Sequence, residues 1–313
     1  MACAERNFFA FLKLGGVMQA PNAVSFRENS NYSTPERMIS ALGQLPPMAQ
    51  VLARLQRLLS DTNSGLDDVA QLLRLDAALT TRVIQISNSV WFRRGSPCRT
   101  IEEAMNRVGF REVYHVVAVA ASGSIVAQPL AAYGRDAQQA WRESIGCAFA
   151  AEILAERLGE DTAVAYMSGL LHSIGRLAFN NCLTRPDEPV KLLQDESFPR
   201  DHSGAELALF GFTQADVSAR MMEQWGFAAE NIEPVRFQYE PLEAPDPHDR
   251  MTALLYAGRF LRTAVCQEVP PPDIPGVDDV FQTIRLTRND VLDCLPQLQL
   301  QIDRALQIAK VAE

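Results

Sequence analysis

No cluster of lysine and arginine longer than an isolated pair stands out in this chain of 313 residues; Arg93-Arg94 and Arg107 with Arg111 are the pairs. With a formal charge of −9 and an isoelectric point near 5.1, a broad nucleic-acid footprint is excluded, because phosphate binding needs cations gathered on one face. The six cysteines, Cys3, Cys98, Cys147, Cys182, Cys266 and Cys294, contain no CxxC and no short spacing, so reduced thiols in a cytoplasmic protein are expected. No GxxxxGK[ST] or GxGxxG loop is present to cradle a phosphate, and no Gly-x-Ser-x-Gly elbow to present a nucleophile; Ser168-Gly169 lacks the preceding glycine and strand. Fixed-period repeats and a DNA-reading helix with basic flanks are also missing. The apolar cluster from Phe8 to Leu12 follows Glu5 and Arg6, meets Lys13 and leads to no cleavage site, which argues against a signal peptide. Tyr114 to Gly134 carries no Asp, Glu, Lys or Arg over a length that could span a bilayer. Ser122, Gly123, Ser124, Gln128 and Pro129 interrupt it, so a buried helix broken near Pro129 is expected, and no membrane span.

What remains is helix-forming sequence, with 47% hydrophobic residues to fill a core. Residues 1 to 34 lack steady periodicity and read as a loosely ordered leader. Val51, Leu52, Leu55, Leu58 and Leu59 have the spacing of an amphipathic helix. Ser64 is a candidate cap for a helix carrying Leu66, Val69, Ala70 and Leu73 inward, and a third helix runs through Leu79, Val83, Ile84 and Ile86. Thr100 and Glu103 form a capping-box pattern, with Gly109 as the stop. The spacing predicts one helix over 136 to 158, another over 162 to 180, one opened by Thr213 and Asp216, and others near 229 to 239, 248 to 266 and 288 to 311. Period-two alternation is absent, so the fold class is all-α.

The segments LPPMAQVLARLQRLL, LDDVAQLLRLDAALTTRVIQISNSVWF, TIEEAMNRVGFREVYHVVAVA, WRESIGCAFAAEILAERLG and AYMSGLLHSIGRLAF resemble, in order, an HDOD domain, and the likeness extends over roughly residues 35 to 310. HDOD domains are bacterial signalling relatives of the HD-type metal phosphohydrolases. The resemblance implies a multi-helix bundle of that superfamily: an N-terminal helical subdomain over about 35 to 134 and a degenerate HD-like one over about 135 to 313, after the leader. In catalytic relatives an imidazole falls where this chain has Glu143. The His-Asp doublet falls on His172 and Ser173, a further His near Gln214, and a late His pair on Gln238 and Tyr239. A neutral hydroxyl at Ser173 brings no charge to offset a divalent ion.

Each candidate has a plainer reading beside it. His172, between Leu171 and Ile174, fits a core histidine bonded to a nearby carbonyl or carboxylate. Glu143 has Arg142 or Arg176 as possible ion-pair partners. Asp201, His202 and Glu206 sit at a loop-to-helix junction and read as a solvated cap. His115 and His248 carry no partner pattern, and Asp76 is expected to form a structural ion pair with Arg82 or Arg74.

The preferred function is a non-enzymatic signal-transduction output or scaffold module without a cofactor, binding a protein partner or a small ligand through the degenerate pocket. Trp91, Phe92, Arg93 and Arg94 are a candidate exposed contact, where arginines beside aromatics suit a nucleotide. The Phe8 to Leu14 cluster and the Tyr239 to Pro247 loop are further candidate surfaces. The competing reading is a metal-dependent phosphohydrolase rewired onto Glu143, His172, Asp201 and His202. If His172 is a satisfied core group, His172→Ala costs about 1–3 kcal/mol in chemical denaturation and leaves partner binding intact. Loss of a hydrolase activity with stability unchanged contradicts that.

Overall fold

The computed structural model describes residues 32–43, 47–61, 63–89, 92, 95–122, 126–184, 198–199, 202–266, 274 and 276–312. Among them there is no strand, only one isolated bridge between Leu130 and Arg135, and the fold is all-α. Helices α1 (Pro35–Ser40), α2 (Pro47–Ser60), α3 (Leu66–Arg74), α4 (Ala77–Ser87), α5 (Ile101–Val108) and α6 (Phe110–Ser122) come first. Next are α7 (Ala137–Leu158), α8 (Thr162–Leu171), α9 (Arg176–Leu183), α10 (Ser203–Phe210), α11 (Gln214–Trp225) and α12 (Ala229–Arg236). The last are α13 (Asp249–Cys266), α14 (Val277–Thr283), α15 (Arg288–Leu292) and α16 (Leu295–Ala312). No described helix is long and apolar enough to cross a membrane.

Polar side chains decide where many of these helices begin. Thr34, Asp76, Thr100, Asp136, Asp161, Thr213 and Thr287 each accept a first-turn backbone N–H, typically worth about 1 kcal/mol apiece. Several sequence expectations need correction here. Ser64 does not cap α3: Gly65 holds the N-cap position, and the Asp68 carboxylate accepts its N–H at 2.9 Å. Glu103 reaches past Thr100 to the N–H of Arg99, leaving the expected capping box half made. Asp76 caps α4 through the N–H of Leu79, and Arg74, one of its two expected partners, pairs instead with Glu102. Helix α6 is described as far as Ser122, and residues 126–129 are not helical, so no helix runs up to Pro129. The single helix expected over 288 to 311 is two, parted at Asp293-Cys294, and α14 was not foreseen.

Helix α7 is the axis of the bundle, buried on nearly every side from Ser144 to Ala155 and packed by α8, α13 and α16. Small residues make these close contacts feasible. A Cβ on Gly169 of α8 would lie 2.6 Å from the carbonyl oxygen of Cys147 and 2.7 Å from the Cα of Ala148, so only glycine lets α8 seat there. One hydrophobic cluster runs from Met38 in α1 to Ile308 in α16, crossing the junction before α7 without a gap. Helix α16 packs on α4 and α6 as well as on α7 and α13, fastening early helices to late ones.

His115 of α6 has a partner after all. Its Nε2 lies 2.8 and 3.0 Å from the two carboxylate oxygens of Glu152 on α7, and Glu112 stands 3.9 Å from Nδ1. The rings of Tyr166 and Phe149 pack against the imidazole at 5.1 and 5.4 Å, and Arg304 of α16 holds Glu112 at 3.1 Å. Burial alone would lower the imidazole pKa, but hydrogen bonds and charge from Glu112 and Glu152 outweigh it and raise it to about 9. This stabilisation is complete below the unfolded value near 6.5 and is lost as pH rises through about 9. Urea midpoints should therefore fall between pH 7 and pH 10, by on the order of 3 kcal/mol in stability. The same titration of His115→Gln should be flatter; equal slopes in the two proteins would refute the assignment.

Candidate functional site

The expected helix over 162 to 180 breaks at His172, and the break builds the site. His172 is the C-cap of α8, and residues 172–175 continue as tight turns whose N–H groups reach back three residues, as Ile174 does to Leu171 at 3.2 Å. Neighbouring side chains hold the turn. Gln238 donates to the His172 carbonyl at 2.7 Å, and Ser218 of α11 accepts the N–H of Gly175 at 2.8 Å while donating to Gln214 Oε1 at 2.9 Å. Gly175 presses directly on α11: a Cβ there would stand 2.2 Å from the Gln214 carbonyl oxygen.

His172 is 1% exposed. Its Nδ1–H donates to the Gly169 carbonyl at 2.7 Å, and Nε2, turned into the interior, meets no hydrogen-bond partner among the described residues. Burial, and then the guanidinium groups of Arg262, Arg259 and Arg176, hold its pKa well below the ordinary imidazole value, against the weaker pull of the Gly169 carbonyl. His172 is therefore neutral, as a metal ligand must be, but its charged neighbours are cations.

Those cations were not foreseen as a group. Arg176 of α9 and Arg259 and Arg262 of α13 are 4%, 0% and 2% exposed. Glu143, on the face of α7 toward them, lies 3.5 Å from Arg176, 3.4 Å from Arg262 and 2.7 Å from Arg135. Arg176 is one of its two expected partners; Arg142 is replaced by Arg135 and Arg262. Arg259 donates to the carbonyls of Gln238 and Pro199 and lies 4.7 Å above the Tyr239 ring. The pattern Arg259-Phe260-Leu261-Arg262 inside an apolar helix was the available signal, since a three-residue step puts both arginines on one face.

The remaining positions form a hydrogen-bonded shell. Gln214 Nε2 donates to the Tyr239 hydroxyl at 2.8 Å, and the Gln214 N–H to Glu206 at 2.7 Å. Glu206 also accepts the Tyr133 hydroxyl at 2.8 Å. Glu206 and His202 are both buried, His202 edge-on to the Tyr133 ring at 5.4 Å, so the solvated cap expected there is corrected to an interior contact. Asp201 lies outside the described residues. Ser173 lines a cavity of about 10 Å³ with Glu143, Ser144 and Arg176, room for about one water. Among the described residues no three His, Cys, Asp or Glu side chains group to hold a metal. Of the proposed exposed contact, Trp91, Arg93 and Arg94 lie outside the described residues, as does the Phe8 to Leu14 cluster. Phe92 is buried beneath the Arg304 guanidinium at 5.3 Å, so it offers no exposed ring.

The sequence model of the HDOD domain family matches residues 45–241. A curated Treponema pallidum (strain Nichols) protein, called only an uncharacterized protein, is 23% identical over 239 residues, 75% of this chain and 45% of that protein. The chain thus spans less than half the length of this relative. A Marinobacter aquaeolei VT8 protein called a candidate signal transduction protein is similar in structure, with a TM-score of 0.68 at 21% identity over 93% of this chain and 68% of that one. A candidate phosphohydrolase from Shewanella amazonensis SB2B gives 0.65 at 20% identity, over 91% of this chain and 100% of that one. An HDOD domain protein with unknown function from Geobacter sulfurreducens gives 0.64 at 18%, over 89% and 95%. At such identities the likeness establishes the fold.

The turn depends on Gly175 more than on any side chain in it. Gly175→Ala should cost more than about 3 kcal/mol by thermal or urea unfolding, because its methyl meets backbone that cannot rotate away. A loss under about 1 kcal/mol would show that α9 and α11 are not packed through this glycine.

Proposed function

The chain belongs to the HDOD family, and on that premise we propose that it is a non-enzymatic signal-transduction module acting through a protein partner. The observation that carries the reading is the set of guanidinium groups packed around Glu143 and His172. A divalent ion in an HD-type site is held by several imidazoles and carboxylates converging from different helices. Here one imidazole remains, Ser173 stands at the acid position, and Gln214, Gln238 and Tyr239 are bonded into the shell around it. Arg176, Arg259 and Arg262 would repel a divalent ion from His172. These residues do not fit the metal.

Volume argues the same way for a small ligand. A cavity of about 10 Å³ beside Ser173 is far below the several hundred Å³ of ordinary ligand pockets. The pocket is better suited to fixing the relative positions of α7, α9, α11 and α13 than to admitting a guest. The similarity to a candidate signal transduction protein supports a signalling role, and the partner surface then lies outside this pocket.

Protein supplied with manganese or ferrous iron and a generic phosphodiester should give no turnover above the metal-only control. Turnover abolished by chelation and by His172→Ala would overturn the proposal and favour the rewired phosphohydrolase on Glu143, His172, Asp201 and His202.

A further inference from the structure

We propose that the guanidinium groups of Arg262 and Arg176 take the place of the divalent cation of a metal-dependent relative, as the positive charge that ties α7, α9 and α13 to the Glu143 carboxylate. This rests on the non-enzymatic reading of the site. A metal bound between helices is a cross-link as well as a reagent, and a fold that loses its ligands loses the cross-link with them. Glu143 sits at the position of one lost imidazole and presents an anion, which needs a counter-charge once it is taken out of water. Arg262 reaches it from α13 and Arg176 from α9, at 3.4 and 3.5 Å. Three helices around the pocket are thereby joined through one carboxylate.

The backbone of α7 is cut to receive this arrangement. Gly146 lies one turn beyond Glu143, and a Cβ there would stand 3.3 Å from Cγ of Arg262, with Cys266 Sγ at 3.2 Å and Ile302 Cδ1 at 3.3 Å around it. The stem of Arg262 thus crosses α7 where side-chain bulk is least, and its head arrives beside Glu143. Guanidinium suits this role because it keeps its charge when buried and has several donors to satisfy. Arg259, three residues earlier, donates to the carbonyls of Gln238 and Pro199, and Arg135, ahead of α7, adds a third guanidinium to the carboxylate at 2.7 Å.

The test is a thermal double-mutant cycle on the full chain, Arg262→Met against Glu143→Gln, run with and without EDTA. Arg262→Met keeps most of the stem's bulk and should lower the melting temperature by roughly 5–10 °C. The double variant should lose clearly less than the sum of the single losses, since the Arg262–Glu143 contact can be lost only once, and EDTA should leave the wild type unmoved. If Arg262→Met does not fold, Arg262→Lys replaces it, and its loss should likewise be coupled to Glu143→Gln. Additive losses in the cycle would overturn the proposal. So would a wild-type melting temperature that EDTA lowers, because a metal would then be the cross-link. Phosphodiester turnover with coupled losses and no EDTA effect would sink the non-enzymatic reading alone and leave the guanidinium clamp standing.

Discussion

A carboxylate withdrawn from water beside guanidinium groups that cannot discard their protons is the constraint on which the rest of the site depends. Glu143 is 12% exposed at its side chain, and Arg176 and Arg262 are more deeply buried still. The Coulomb gain of such a group is offset by the cost of desolvating it, so its net stabilisation is small, whereas removing one member leaves a charge with no solvent to turn to. The consequence is geometric: α9 and α13 have little freedom to shift against α7 without separating these charges. His172 follows from the same field, since an imidazole enclosed with three guanidiniums stays neutral and directs its one N–H to the Gly169 carbonyl.

Close packing around α7 makes that field stationary. Gly169 brings α8 against the backbone of Cys147 and Ala148, and Gly146 admits the Arg262 stem. With these contacts set, the turn at 172–175 is placed to within the tolerance of a hydrogen bond, and Gln238 and Ser218 can close on its backbone. On the other side of α7, His115 and Glu152 repeat the theme in milder form, a buried ion pair joining α6 to α7. Buried polar contacts here combine neutral hydrogen bonds with the ion pairs of Glu143 and His115, and a bonded set of this kind favours one packing arrangement over its neighbours more than it raises stability.

Much of the fold was legible because helix signals are local. The apolar spacing of Val51 to Leu58, the Thr100 and Thr213 caps and the Gly109 stop are written within a few residues of the features they produce. The failures share a cause. The break after Leu171 is enforced by Gln238 and Ser218, 66 and 46 residues away along the chain, and no window around His172 contains them. His115 appeared partnerless because Glu152 lies 37 residues off. Spacing within LHSIGRLAF could not disclose that Arg176, Arg259 and Arg262 meet. The resemblance to HDOD domains implied, through Ser173, that a carboxylate was missing where a metal would need one; of the positions it pointed to, Glu143 and Ser173 line one small cavity, Gln238 bonds to His172 and Gln214 to Tyr239.

The most direct measurement is a crystal structure of the protein grown with excess manganese, with anomalous diffraction recorded at the metal edge. Continuous density for Arg176 and Arg262 reaching Glu143, with no anomalous peak near His172, is the expected result. A peak within coordination distance of His172 Nε2, with either arginine turned away from Glu143, would contradict it and return the pocket to metal chemistry.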